Sequence, residues 1–437
     1  MTANQQEFAA RRTKLLSQLA PNSVALLFSA PEYIRNGDTD FPYRQDSDFY
    51  YLTGFAEPHA VAVLIKEDAG SRYILFNRPR DTEKEIWTGR RAGQAGALEI
   101  FGADESLSID SLDEKLLELI GNKGVLYHTL GLHQHNDQRV IRWLNAVRAK
   151  VRTGVQAPPQ INTLRQFISE MRLIKSDQEI AWMKKAADIS VDAHKRAMQA
   201  CKPGMMEYQI EAEIGHEFNR HGARFLAYPS IVASGANACI LHYTDNNMAL
   251  KDGDLLLIDA GAEYNYYAAD ITRTFPINGK FSGAQHDLYE LVLKSQLAAI
   301  DIIREGLVWD KIQETIIKVL TTGLVELGIL KGSINSLIEQ KAYRPFYMHN
   351  SGHWLGMDVH DVGDYKIKGE WRHLTAGMVI TVEPGLYIPA GSAGVDKKWW
   401  DIGIRIEDDV LVSANGNDVL TKALPKAIAD IEVLMAE

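Results

Sequence analysis

The chain has 437 residues, 46% of them hydrophobic and 24% charged, a globular composition with length for two or three domains. A net charge of −10 and a pI near 5.8, with no basic stripe, exclude nucleic acid as a standing partner. No run is apolar and long enough to span a bilayer, and the N-terminus lacks the apolar segment of a secretory signal, so a cytoplasmic protein without a membrane partner is expected.

Residues 7–19 read as a helix and 23–29 as a buried strand. The segment 41–54, FPYRQDSDFYYLTG, reads as a polar, aromatic loop feeding a strand. Strands at 60–65 and 73–76, a loop at 85–91 and helices near 112–120 and 135–149 complete a compact α/β domain. It carries little catalytic chemistry of its own. Ala157-Pro158-Pro159 marks a boundary, and the division is placed at 1–172 and 173–437.

The second part opens with an amphipathic helix over 176–200, capped by Ser176 and Glu179 and stopped by Pro203-Gly204. A helix at 207–221 leads to strand-like stretches around Ile231 and at 239–242. The stretch 255–275, LLLIDAGAEYNYYAADITRTF, reads as a hairpin. A turn at Tyr264-Asn265 would set Asp259 opposite Asp270, with Cβ atoms about 4.5–5.5 Å apart. Unless one of them only caps a turn, such a pair needs a shared proton or a cation. Two long helices follow, at 282–304 and 310–327. Then MVITVEPG at 378–385 repeats the plan of 255–261, an apolar strand ended by an acid and a glycine turn. A strand at 403–412 carries Glu407 inside an apolar run. The expected fold class is α+β, with a pseudo-symmetric catalytic domain bearing two acid-carrying strands per half, behind a smaller α/β N-terminal domain.

Four acids in apolar β-type runs, Asp259, Asp270, Glu383 and Glu407, demand a common explanation, because buried carboxylates without cations are prohibitively costly. His349, His353 and His360 lie within twelve positions, on a segment that Gly352 and Gly356 keep from being a continuous helix. Oxygen-rich donors with an imidazole suit Mn²⁺, with Co²⁺, Fe²⁺ or Zn²⁺ as rivals. Four acids are enough for two ions, an arrangement that generates a nucleophile at neutral pH. Cys201 and Cys239 stand apart from any histidine cluster, which argues against a thiolate site or a disulfide frame. Arg405, two positions before Glu407, shares its strand face and can orient the acids. Leu241-His242-Tyr243 opens toward the hairpin, and Trp87 and Tyr387 are candidates to close a pocket. Asp408 and Asp409 read as solvent-side or turn acids and Glu263 as a hairpin-tip charge, all outside the site.

The motifs IDAGAEYNYYAADITRTFP, HNSGHWLGMDVHD, TVEPGLYI and GIRIEDDV together resemble those of the pita-bread metallopeptidases, which include methionine aminopeptidase, prolidase and aminopeptidase P. YRQDSDFYYLTGF and IWTGRR resemble the N-terminal domain of the aminopeptidase P branch. This resemblance implies five metal ligands at Asp259, Asp270, His353, Glu383 and Glu407. It implies removal of the first residue from peptides with proline second, by attack of a metal-bridging hydroxide on the scissile carbonyl, with Glu383 passing the proton to the proline nitrogen. His242, His349 and His360 match histidines that line the substrate pocket, and Arg405 matches part of a network that includes the counterparts of Asp38 and Tyr228. Similar enzymes are often dimers or tetramers, which implies a homo-oligomer, and Arg152 and Arg372 resemble residues near the site in such assemblies. The alternatives are a prolidase, restricted to Xaa-Pro dipeptides, and a non-catalytic scaffold, although scaffold members lose ligands that are all present here.

Overall fold

The computed structural model describes residues 3–436. They form two compact units, one ending at Met171 and the other beginning at Arg172. The first is built on a six-stranded sheet, in spatial order Glu105–Ser108, Gly70–Asn77, Val61–Glu67, Ser23–Phe28, Val125–Tyr127 and Gln160–Asn162. Its three middle strands pair antiparallel and the outer ones add in parallel. Helices Leu112–Ile120 and Gln134–Ala149 pack on Val24, Leu26, Val63, Ile65, Ile74 and Phe76. Two segments expected to be loops are helical. Asp46 accepts the Phe49 amide and Gly54 closes in the left-handed region at φ 65°, so Ser47–Thr53 is a short helix. Asp81 likewise caps helix Thr82–Thr88.

The second unit repeats one plan. In its first half, helices Asp177–Ala200 and Glu207–Arg220 accompany a sheet whose middle strand, Leu255–Asp259, lies antiparallel between Ile231–Ser234 and Thr272–Pro276. The second half brings helices Gly283–Ile302 and Asp310–Glu326 with strand Val379–Val382, which pairs with Asp408–Ser413. Gly385–Ile388 pairs with Ile402–Arg405. The apolar faces of all four helices and both sheets share one buried core. The expected capping box at Ser176 and Glu179 is present.

Four details differ from the sequence expectation. The hairpin turn falls on Asn265 and Tyr266, with φ of 50° and 69°, rather than on Tyr264-Asn265. A two-residue turn with both central residues at positive φ fixes the register, so Asp259 faces Thr272 and not Asp270. Residues 239–242 form no strand, because the 3₁₀ turn Gly235–Cys239 begins at Gly235 with φ 52° and leads the chain away. The run 403–412 is two strands, broken at Ile406–Glu407 and divided between different sheets. Asp408, Asp409 and Glu263 are buried at 0%, 1% and 8% exposure, not solvent-facing.

Candidate functional site

Each acid is delivered by a strand end. Asp259 closes Leu255–Asp259, Asp270 precedes Thr272–Pro276, Glu383 follows Val379–Val382, and Glu407 sits in the break after Ile402–Arg405. Because Asp270 is two positions short of Asp259's partner, the two carboxylates meet obliquely, both at the Tyr228 hydroxyl, 2.6 Å from Asp259 and 2.5 Å from Asp270. Gly261 makes that geometry attainable: a Cβ there would lie 1.7 Å from the Ala269 carbonyl oxygen. His353 is carried alongside strand Val379–Val382, its carbonyl accepting the Thr381 amide at 3.0 Å. At Gly352 a Cβ would sit 2.0 Å from the Thr381 oxygen, so only glycine lets this segment approach. His353 Nδ1 donates to its neighbour's carbonyl, Trp354 O, at 3.0 Å, which leaves Nε2 facing Asp270 at 3.3 Å and Glu383 at 3.8 Å. Donor atoms of Asp270, His353 and Glu407 all lie within 4.8 Å of one another.

Charge in this space is badly out of balance. The buried guanidinium of Arg405 donates to Asp259 at 2.6 Å, to Thr272 at 3.1 Å and to Tyr387 at 3.1 Å. One such cation faces four carboxylates. Burial, with the neighbouring acids adding to it, pushes Glu407 well above the ordinary carboxyl range and raises Asp270. Burial also raises Glu383 to about 7. At His353 burial works downward, but the Asp270 hydrogen bond and the charges of Asp270 and Glu383 outweigh it and lift the imidazole to about 9. A set of oxygen donors with one outward-facing imidazole nitrogen and surplus negative charge fits divalent cations.

The acids form the floor of a cavity of about 970 Å³, whose walls include His242, His349, His360, Trp309, Tyr365 and Trp371. His242 and His360 are exposed, and the His360 ring packs edge-on against His353 with centroids 4.4 Å apart. Both nitrogens of His349 are engaged: Nδ1 donates to Asn350 O at 2.7 Å, and Nε2 accepts from Tyr387 at 2.9 Å. Burial pushes His349 down to about 4, so it faces the cavity as a neutral ring. Tyr387 does not close the cavity mouth as expected; it is fully buried behind His349, and linked there to Arg405. Arg372 is buried within the same unit. Asp38 and Trp87 belong to the N-terminal unit, Asp38 on an exposed hairpin turn and Trp87 on a helix at 87% exposure. Arg152 is exposed on the turn Val151–Thr153 of that unit.

Several supporting residues lay beyond the sequence reading because their partners are far away in the chain. Thr272 donates to Glu407 at 2.7 Å. Asp409 accepts the Asp270 amide at 3.2 Å, and Asp408 is held by Arg273 at 2.8 Å and Lys426 at 2.6 Å. Beside His360, Asp361 is gripped by Arg172 at 2.6 Å and Lys175 at 3.0 Å. Burial would raise the Asp361 carboxyl, but those two cations overcome it and hold it below the usual range. Its stabilising effect is therefore full above the unfolded pKa of about 3.9 and lost as pH falls through the folded value. Asp361→Asn takes the buried Lys175 ammonium's carboxylate away and leaves Arg172 its second one, Asp358 at 2.8 Å, and is expected to cost about 3–5 kcal/mol at pH 7. Calorimetry of the variant checks this, and its unfolding temperature will fall less steeply than wild type between about pH 5 and pH 3.

Residues 181–414 match the model of metallopeptidase family M24, and residues 8–127 match that of the aminopeptidase P N-terminal domain. The chain is 49% identical to Xaa-Pro aminopeptidase of Escherichia coli, over 99% of this chain and 98% of that one. With Xaa-Pro aminopeptidase of Haemophilus influenzae it shares 50% identity, over 98% and 97%. Among solved structures, aminopeptidase PepP of Pseudomonas aeruginosa superposes with a TM-score of 0.98 at 52% identity, covering 99% of this chain and 98% of that one. The expected pita-bread architecture with its N-terminal domain is thus the observed one, and among the described residues no helix is long and apolar enough to cross a membrane. On the strength of these matches and of the acid-bearing strands that meet in one cavity, the chain belongs to metallopeptidase family M24, in the branch that carries the aminopeptidase P N-terminal domain.

Proposed function

We propose that this chain is a metalloaminopeptidase that releases the N-terminal residue from peptides with proline in the second position. The observation that carries the reading is the convergence of Asp259, Asp270, His353, Glu383 and Glu407 on the floor of a cavity walled by three further histidines. Its relatives' names and the matched N-terminal domain favour an aminopeptidase over a dipeptidase. The reading takes 173–437 as the catalytic domain, two divalent ions, most suitably Mn²⁺, as its metal, the cytoplasm as its location and a homo-oligomer as its working form. Ile86 and Trp87, 80% and 87% exposed on the N-terminal unit, support the last of these.

An Xaa-Pro amide is tertiary, with no N–H to offer, so the enzyme must grip the ring itself. Trp309, Tyr365 and Trp371 offer apolar surface for that. Divalent cations held by the five ligands supply Lewis-acid chemistry, acidifying water and polarising a carbonyl oxygen. In the hydrolysis a C–O bond to water's oxygen replaces the scissile C–N bond, and water's proton passes by way of Glu383 to the proline nitrogen. His242 and His360, exposed at the cavity, stabilise the substrate carbonyl as it gathers charge. Arg405 holds Asp259, and through Tyr387 it keeps His349 in place.

Hydrolysis of Gly-Pro and Gly-Pro-Ala by Mn²⁺-loaded protein, with EDTA-treated protein as control, tests the proposal. Release of glycine and Pro-Ala, abolished by EDTA, is expected. Cleavage of the dipeptide alone would mean a prolidase, and cleavage of neither, with metal bound, a scaffold. His360→Ala is expected to lower turnover about 10²-fold while leaving metal content by elemental analysis unchanged. Loss of metal from that variant would make His360 a ligand.

A further inference from the structure

We infer that Glu207, some distance along the chain from every ligand, is a positioning residue that acts through His242. The inference rests on the aminopeptidase reading above. Glu207 opens helix Glu207–Arg220, is fully buried, and gathers five donors on its two carboxylate oxygens. Oε1 accepts from the Ser234 amide at 2.8 Å, the Ser234 hydroxyl at 2.7 Å and the Asn237 side chain at 3.1 Å. Oε2 accepts from the Tyr243 hydroxyl at 2.8 Å and the Met248 amide at 2.9 Å. All five are uncharged, and all belong to one stretch of chain, residues 234–248. That stretch has no strand pairing beyond Ser234 and would otherwise be an irregular loop. It also carries Leu241, His242 and Thr244 into the cavity wall.

The connection to His242 is direct. Tyr243, the next residue, is buried at 8% exposure with its hydroxyl on Glu207, while His242 is exposed to the cavity. Asn246, at φ 46°, pins the same loop from the other side, its side chain accepting the Val232 amide at 2.9 Å and donating to Ser230 O at 2.9 Å. The imidazole therefore stands on a loop held at two buried points. A carboxylate suits Glu207's post because both of its oxygens accept and neither carries a hydrogen. Glutamine at 207 would keep one acceptor oxygen and point an NH₂ at groups that are themselves donors.

The test combines Glu207→Gln with His242→Ala. In the Mn²⁺-loaded full chain, Glu207→Gln is expected to lower kcat for Gly-Pro-Ala about 10-fold or more, with metal content unchanged. In the His242→Ala background it should lower kcat no further, since the residue it acts through is gone. Amide hydrogen exchange of peptides spanning 234–248 should quicken in Glu207→Gln and stay at the wild-type rate around Glu383. Tyr243→Phe keeps the ring and removes one of the five bonds; should Glu207→Gln fail to fold, the same cycle with Tyr243→Phe decides, with an expected loss of about 3-fold that vanishes beside His242→Ala. Losses that multiply, or exchange at 234–248 that does not change, would overturn the assignment. If the wild-type chain cleaves no Xaa-Pro peptide, the aminopeptidase reading fails, and the exchange measurement still decides whether Glu207 orders the loop.

Discussion

Glu383→Gln and His353→Ala will each lower turnover of Gly-Pro-Ala by about 10²- to 10⁴-fold or more, with the far-ultraviolet dichroism of the folded chain intact. The two variants fail for different reasons. Glutamine keeps the shape of Glu383 beside Thr381 and His353 but cannot take up a proton and pass it on, so kcat stays low even where added Mn²⁺ makes up for the anionic ligand lost. Alanine at 353 removes the imidazole whose Nε2 points among the acids, 3.3 Å from Asp270, and with it a nitrogen donor for a cation held there. Its loss should appear as metal content below wild type at equal total Mn²⁺, and added metal should restore part of the activity. Full turnover by either purified variant would overturn the assignment of the site. Both side chains sit at strand ends or on a segment laid along a strand, so neither change removes core packing, and an unfolding temperature close to that of the metal-free wild type is expected.

The candidate ligands were legible because each breaks a pattern. Asp259, Glu383 and Glu407 interrupt or terminate apolar runs that a buried strand would otherwise continue, and the clustered histidines stand beside glycines that rule out a plain helix. What was not legible depends on pairing across the chain. The hairpin register turned on whether Tyr264-Asn265 or Asn265-Tyr266 forms the turn, and both contain asparagine, so local residues could not choose. Asp408 and Asp409 read as solvent acids because carboxylates are costly to bury, but Arg273, over 130 residues earlier, and Lys426 supply the compensating charge for Asp408, while burial pushes the Asp409 carboxyl well above its usual range. Glu207 shows the same limit: as a helix-opening glutamate it has the ordinary look of a dipole partner, and its donors lie 27 to 41 residues downstream. The helices at Ser47–Thr53 and Thr82–Thr88 were hidden by their brevity, with too few turns for a period to show, although Asp46 and Asp81 are ordinary caps.

Glu407→Gln is expected to reverse the usual sign of a buried substitution, and the reversal depends on metal. In EDTA-treated protein Glu407 lies with Asp259, Asp270 and Glu383 around one guanidinium, and burial with those neighbours has pushed its carboxyl well above the ordinary range. Glutamine is nearly the shape of the protonated acid and can still accept the Thr272 hydroxyl, which Glu407 now holds at 2.7 Å. The metal-free variant should therefore unfold at a temperature equal to or above that of the metal-free wild type. Adding Mn²⁺ will raise the wild type, because a cation that binds only the folded state stabilises it by about 2.7 kcal/mol at a free concentration 100 times Kd. The variant, with one anionic donor fewer, should gain much less, so the order of stability inverts on loading. A metal-free variant clearly less stable than metal-free wild type would mean that Glu407 serves a structural bond rather than a cation. An undiminished shift on adding Mn²⁺ would mean that the ion binds without it. Only an acid kept in place for a cation, against its own burial cost, gives both halves of the expected result.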